Sequence, residues 1–63
     1  MSYRIVGFKE GEKQYWDNVS NSWYPNSMCA TIYDCAAEAE SNLKTAQSQS
    51  KDLNITSVRL IKV

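Results

Sequence analysis

Histidine is absent from this sequence of 63 residues. Imidazole is the side chain that most often transfers protons near neutral pH and the one that most often binds transition metals. The two cysteines, Cys29 and Cys35, have no second pair with which to complete a zinc site of four thiolates. The sequence therefore predicts no catalytic residue, no metal site and no cofactor, and we expect a protein that is not an enzyme.

An excess of positive charge is also missing, because seven Lys and Arg residues balance seven Asp and Glu residues. A chain with zero formal net charge has no surplus cations to displace counterions from a nucleic acid. Along the sequence the basic residues are scattered among acidic ones and form no cluster with the aromatic residues. This composition disfavours nucleic acid as a partner.

Long apolar runs are missing as well, and the longest one is far below the roughly 18 residues that span a bilayer. The segment Met1–Arg4 leads directly into a strand-like pattern, without the basic and then apolar segments of a secretion signal. The sequence therefore predicts a cytoplasmic protein without a membrane segment. In that compartment we expect both thiols to be reduced and the fold to form without a disulfide.

The length limits the architecture to a single domain of residues 1–63 with one small core. A chain of this size buries only about 60% of the surface that its unfolded form exposes. Hydrophobic residues make up 43% of the sequence and aromatic residues 11%, which is typical of a folded chain and not of a disordered tail.

Four segments have the composition of β-strands. Tyr3–Lys9 is rich in β-branched and aromatic residues, and Gly11 can form a tight turn into a return strand at Lys13–Asp17. Met28–Tyr33 is predicted as a short third strand, and Ile55–Val63 as the last one.

One segment has the composition of a helix, because Asp34–Ser50 contains neither glycine nor proline and is rich in Ala, Glu, Leu, Lys and Gln. Asp34 is a candidate N-cap residue, and a competing register caps the helix with Cys35 and places Glu38 at N3. The apolar positions at helical spacing are Ala36, Ala39, Leu43 and Ala46, and Leu53 could extend this stripe past the helix end.

This order of elements predicts an α+β fold of the type β-β-β-α-β. We expect a four-stranded, mostly antiparallel sheet with the helix packed on one face. If the first three strands form a meander, the last strand runs parallel to the first after a right-handed crossover.

Both faces of the predicted sheet carry apolar residues. In the first strand Tyr3 and Ile5 point to one side, while Val6 and Phe8 point to the other. One helix covers only one face, so the second face requires a cover of its own. Either residues 18–27 fold over it, or it associates with another copy of the chain or with another protein. The homodimer is the favoured prediction, and its interface would contain Tyr3, Ile5, Ile61 and Val63.

The aromatic residues are the candidate contacts for a partner protein. Trp23 and Tyr24 lie in a segment predicted to be irregular, where binding residues often collect, and Trp16 lies on a predicted strand. The alternative is that these side chains fill the core, because a small domain needs large residues there.

The segment Ala30–Glu40 reads ATIYDCAAEAE and joins a strand to a helix rich in Ala and Glu. With this segment, its length and its strands on both sides of one helix, the chain resembles short proteins encoded by bacteriophages and prophages. The resemblance implies a protein that binds and blocks a host bacterial protein, such as a component of an anti-phage defence system. The predicted function is thus a non-catalytic protein-binding module in the host cytoplasm. The alternatives are a nucleic-acid-associated accessory protein and a structural protomer of a larger assembly.

Overall fold

A four-stranded antiparallel sheet and one helix form the fold in the computed structural model, which describes residues 1–63. The strands lie in the order β3-β2-β1-β4, so β1 and β2 are central and β3 and β4 are the edges. The predicted α+β fold with one helix is confirmed. The elements are β1 (Tyr3–Lys9), β2 (Glu12–Asp17), β3 (Ser22–Tyr24), a 3-10 turn (Ser27–Cys29), α1 (Ala36–Leu53) and β4 (Thr56–Lys62).

The turn between β1 and β2 consists of Glu10 and Gly11, between the cross-strand pair Lys9 and Glu12. Both turn residues have positive φ, at 52° and 84° respectively. Two consecutive residues of this conformation match the right-handed twist of the flanking strands, which makes such turns the favoured connection in hairpins. The predicted turn at Gly11 is therefore confirmed.

The third strand is Ser22–Tyr24, and the prediction that it spans Met28–Tyr33 is wrong. Met28 and Cys29 belong to a 3-10 turn, and extended chain begins at Ala30. The side chain of Asn26 caps this turn, since its Oδ1 accepts a hydrogen bond of 2.9 Å from the N–H of Met28. A local bond of this kind offers the backbone an alternative to a strand ladder.

The extended chain after the 3-10 turn enters the sheet between the end of β2 and the start of β1. Thr31 N–H donates to the carbonyl of Trp16 at 3.0 Å, and Tyr33 exchanges two backbone hydrogen bonds of 2.8 Å with Tyr3. Tyr33 is thereby fixed as an isolated antiparallel bridge beside β1. Before α1 starts, the chain has thus returned to the end of the sheet at which β1 begins.

This additional reversal sets the direction of β4. Tyr3 pairs with Lys62 and Phe8 pairs with Thr56, so β4 is antiparallel to β1. The prediction of a parallel last strand is wrong, because it assumed that the helix starts at the opposite end of the sheet. In the structure α1 runs in the direction of β1, and β4 returns against it.

The helix begins after Cys35, its N-cap residue, whose side chain makes no capping hydrogen bond. It ends at Leu53, and the C-cap residue Asn54 has a left-handed conformation with φ 57°. Leu53 does not extend the buried stripe, because 41% of its surface is exposed, and the buried residue of the last turns is Ser50. The helix α1 lacks the combination of length and apolar character needed to cross a membrane.

The core lies between α1 and the sheet. Trp23 packs edge-on against Trp16, with ring centroids 5.4 Å apart and an interplanar angle of 60°. Ala39 and Ala46 have no exposed surface, and their small side chains allow the helix to approach the strands closely. The buried cluster consists of Ile5, Trp16, Tyr33, Ala39 and Ala46.

A β-bulge interrupts the pairing of β4 with β1. Between the pairs Val6–Arg59 and Phe8–Thr56, β1 has one residue and β4 has two. One of these two is Ser57, whose φ is 54°.

The bulge shifts the alternation of side chains along β4. Val58 and Leu60 pack against the core cluster on the helix side. Ile55 joins them there, because its Cγ2 lies against Gly7, which shares its face of β1 with Ile5. Uninterrupted alternation would place Ile55 on the same face as Ile61, but the bulge places the two residues on opposite faces.

Candidate functional site

The face of the sheet that points away from α1 is the candidate site. Residues directly opposite each other in an antiparallel pair point to the same side, so the register assigns each side chain to a face. The cross-strand pairs are Val6–Tyr15, Tyr15–Tyr24, Phe8–Lys13, Arg4–Ile61 and Val6–Arg59. We call this surface the open face and define it by Arg4, Val6, Phe8, Lys13, Tyr15, Tyr24, Arg59 and Ile61.

Val6 lies at the centre of the open face. It has no exposed surface, although it is not part of the core cluster under α1. Its two cross-strand neighbours are Tyr15 and Arg59. Long side chains with polar ends can cover an apolar residue while their polar ends stay in water. The open face therefore has an apolar centre under amphipathic side chains.

Tyr15 organises two of the cationic side chains. The Cζ atom of Arg4 lies 5.1 Å from the centroid of its ring, and the Nζ atom of Lys13 lies 5.7 Å from it. Both distances are within the range of cation–π attraction. The Nε atom of Arg4 is buried and has no hydrogen-bond acceptor. The contact with the ring thus holds the guanidinium group in place, and N–H donors of this group remain without an acceptor in the chain.

Acidic side chains are nearly missing from the open face. The cross-strand partners of Arg4, Lys13 and Arg59 are all apolar, namely Ile61, Phe8 and Val6.

The only acidic residue on this side of the strands is Asp17, at the end of β2. Its carboxylate accepts hydrogen bonds from the N–H of Val19 at 3.0 Å and from the hydroxyl groups of Ser20 and Thr31, both at 3.2 Å. A chain with zero net charge thus presents a basic surface on one side of its sheet.

Of the three predicted partner contacts, only Tyr24 lies on the open face, where it is half-buried. The prediction for Trp16 is wrong, because this side chain is completely buried under α1. Trp23 is partly buried on the same helix side and packs against the core. Trp23 and Tyr24 lie in β3 and not in irregular chain, so their side chains point to opposite faces.

The four residues of the predicted dimer interface do not share a surface. Tyr3 and Ile5 lie on the helix side, and Ile5 has no exposed surface. Ile61 lies on the open face beside Arg4, and Val63 follows β4 with 64% of its surface exposed. Ile5 cannot contact a second copy, because it is buried between the sheet and α1.

Sequence reasoning missed the cationic part of the open face. Arg4 shares an alternating pattern with Val6 and Phe8 in β1, and Lys13 shares one with Tyr15 in β2. These patterns identify the side chains that share a face within each strand. The grouping of all three cations depends in addition on the direction and register of β4.

A buried phenol lies on the other side of the sheet. Burial raises the pKa of Tyr33, and the nearby carboxylates of Glu38 and Asp17 raise it further. The neighbouring side chains of Thr31 and Trp16 lower the pKa in part, although the hydroxyl group makes no hydrogen bond of regular geometry. The indole N–H groups of Trp16 and Trp23 have no acceptor. Tyr33 is therefore neutral near pH 7 and serves to fill the core.

The helix side offers one open groove of about 660 Å³, between the second half of α1 and the start of β4. Its lining is mostly polar and contains Lys44 and Lys51. Cys29 and Cys35 are exposed free thiols, and no group of three or more potential metal ligands comes together. The open face is thus the surface that combines aromatic, apolar and charged side chains.

Comparisons with known proteins give no assignment, since no protein-family model, curated protein or solved structure matches the chain. The function is therefore argued from the composition and geometry of the open face.

Proposed function

We propose that the protein is a non-catalytic protein-binding module whose contact surface is the open face. The observation that carries the proposal is the placement of Tyr15, Tyr24 and Arg4 on the side of the sheet that α1 leaves uncovered. Tyrosine and arginine are among the residues that contribute most to binding energy in protein interfaces. A sheet with one face on the core and one face free is a typical frame for such a surface.

The stacking of Arg4 and Lys13 on Tyr15 supports this role. Long cationic side chains normally lose conformational freedom when a partner binds. The contacts with the ring already restrict both side chains in the free protein. A partner would thus meet a surface that is partly organised in advance.

The biological role that we propose is inhibition of a host bacterial protein by binding. The support is the resemblance to short bacteriophage and prophage proteins, which also places the module in the host cytoplasm. Without histidine, the exposed thiols lack the base that usually activates a cysteine nucleophile, which favours binding over catalysis.

A homodimer remains part of the proposal, but its contact would lie away from the open face. A two-fold symmetric contact joins the same surface of both copies. If that surface were the open face, Arg4, Lys13 and Arg59 would lie close to the same cations of the other copy. Like charges across an interface oppose association. The outer edge of β4 is the alternative, because this strand of seven residues has a neighbour on one side only.

Site-specific crosslinking in a bacterial lysate tests the contact surface. A photoreactive phenylalanine analogue replaces Tyr24 on the open face in one variant and Glu40 on the exposed side of α1 in a matched control. We expect a distinct crosslinked protein from position 24 and none of that mass from position 40. Crosslinks that form from position 40 alone would assign the contact to the helix and contradict the proposal.

Nucleic-acid binding is the second candidate function, because Arg4, Lys13 and Arg59 lie beside aromatic rings on one face. Such a surface can bind single strands by stacking and by contacts with phosphates. A titration of labelled (dT)20 at increasing salt concentration separates the two functions. Nucleic-acid binding predicts that (dT)20 binds with an affinity that falls steeply with added salt, whereas a module for proteins should not bind (dT)20 at moderate salt.

A further inference from the structure

We infer that the partner of the open face is an acidic protein surface, in which a carboxylate beside an apolar side chain is bound between Arg4 and Arg59. This inference rests on the proposed function and specifies the chemistry of the partner.

The two arginines occupy neighbouring positions on the open face. Arg4 pairs with Ile61, and Arg59 pairs with Val6, so the arginines are diagonal neighbours on adjacent strands, with Cα atoms roughly 7 Å apart. The guanidinium group of Arg4 lies over Tyr15, and Val6 separates Tyr15 from Arg59 in one cross-strand row. A carboxylate above Val6 would therefore lie between the two cations and attract both.

The Arg4 guanidinium group has free N–H donors that a partner can reach. Tyr15 holds the group 5.1 Å above its ring, and its Nη atoms, unlike the Nε atom, are not buried and make no hydrogen bond within the chain. A guanidinium group presents its N–H donors in a planar fork that fits a carboxylate with two parallel hydrogen bonds. A bound carboxylate would provide acceptors that the chain itself does not provide.

Apolar surface lies beside the arginines. Ile61 lies next to Arg4 in the register, Phe8 shares the open side of β1 with the buried Val6, and Tyr24 lies on the far side of Tyr15. These side chains are half-buried in the free chain and retain surface for contact. An aliphatic or aromatic residue of the partner can therefore be buried next to the charged contact, as in the apolar centre of a protein interface.

The open face is better suited to a protein carboxylate than to a nucleic acid. Stacking of bases requires free aromatic faces, but Arg4 and Lys13 already lie over the ring of Tyr15. Phe8 and Tyr24 remain, on opposite sides of the face. Three cations in a chain of zero net charge give limited attraction to a polyanion.

Selection from a random library of twelve-residue peptides, performed on the immobilised full chain, tests the inference. We expect the enriched peptides to contain more Asp and Glu than Lys and Arg, together with aliphatic or aromatic residues. Titration of the strongest peptide into ¹⁵N-labelled protein should shift the amide signals of β1, β2 and β4. The double variant Arg4→Gln with Arg59→Gln should bind this peptide about tenfold more weakly.

The matched control removes two cations from the helix side, with Lys44→Gln and Lys51→Gln. It should change the affinity by less than about twofold, because exposed charges away from the contact contribute little. Circular dichroism checks that both double variants are folded. Arg59→Gln alone serves as a second variant, since Arg59 is exposed and its replacement leaves the Arg4–Tyr15 contact in place.

The other outcomes distinguish failure of the inference from failure of the proposed function. Peptides that map to the open face but are neutral or basic, or that bind the arginine variants equally well, overturn the inference and leave the proposed function intact. Peptides that map to α1, or the absence of enriched peptides, overturn both. Displacement of the peptide by (dT)12 at low salt, with (dT)12 binding more tightly, would identify a nucleic acid as the partner and also overturn the inference.

Discussion

The Cγ2 atom of Ile55 lies 2.6 Å from the position that a Cβ atom on Gly7 would occupy. No real Cβ atom tolerates a neighbour at this distance, so a larger residue at position 7 must displace Ile55. Ile55 is 6% exposed and packs at the point where the chain leaves α1 and enters β4. The glycine thus allows the last strand to approach the centre of the sheet.

Gly7→Ala should lower the free energy of unfolding by about 1–3 kcal/mol, because it overpacks this contact. Urea denaturation measures the loss. In the background Ile55→Ala, where the opposing methyl group is absent, Gly7→Ala should have a much smaller effect. Equal losses in both backgrounds would show that the clash is not the cause.

Trp23 and Tyr24 are adjacent in β3 but lie on opposite faces of the sheet, so their replacement should have different effects. Trp23→Ala removes the edge-on contact with Trp16 and should lower the free energy of unfolding by about 3–5 kcal/mol. Tyr24→Ala should lower the affinity for a peptide selected on the open face and leave the thermal midpoint nearly unchanged. Thermal denaturation and a binding titration of both variants provide the comparison. A large loss of stability in Tyr24→Ala would assign this residue to the fold.

Cys35 is the N-cap residue of α1, and its thiol makes no capping hydrogen bond. Serine at this position can accept a hydrogen bond from a free N–H in the first turn, so Cys35→Ser should stabilise the protein by about 0.5–1 kcal/mol. Cys29→Ser is the matched control, because Cys29 is also exposed but does not cap α1. Thermal denaturation under reducing conditions should show an increase for position 35 alone.

Tyr33 should make the stability depend on alkaline pH. Its pKa is raised above the ordinary value of 10.0, mainly by burial, so the folded state favours the neutral phenol. The stability that this provides is complete below pH 10 and is lost as the pH rises through the higher pKa of the folded state. Tyr33→Phe should remove this part of the pH dependence. Because the hydroxyl group makes no hydrogen bond of regular geometry, the variant should lose little stability at pH 7.

The measurement is the thermal midpoint of both chains between pH 8 and pH 11.5. Ionisation of the other tyrosines contributes to both curves and cancels in their difference. If the difference between the two thermal midpoints does not change with pH, ionisation of Tyr33 does not contribute to the alkaline loss of stability.

Local signals determined which elements could be predicted from the sequence. The turn at Gly11 depends on two residues, and the helix depends on a continuous run of good helix formers, so both are visible in the sequence. The third strand is not visible in this way, because the aromatic and β-branched residues of Met28–Tyr33 have the composition of a strand without forming one. Its true position, Ser22–Tyr24, depends on pairing with β2.

The direction of β4 and the composition of the open face depend on contacts between distant residues. The bridge between Tyr33 and Tyr3 reverses the chain before α1, and a single bridge has no periodic pattern. The bulge at Ser57 changes which residues of β4 face the core, without a glycine to mark it. For this reason the placement of Arg4 and Arg59 on the same face could not be derived from either strand alone.

The central position of β1 has a consequence for the order in which the protein folds. Its neighbour β2 follows after a two-residue turn, whereas its other neighbour, β4, is about fifty residues away along the chain. Closing such a long loop is slow compared with forming a hairpin. Until residues 56–62 arrive, β1 is an edge with unpaired backbone groups, which is the state in which strands pair with other chains. Shortening the last strand should therefore produce aggregation during synthesis, before any effect on binding could be observed.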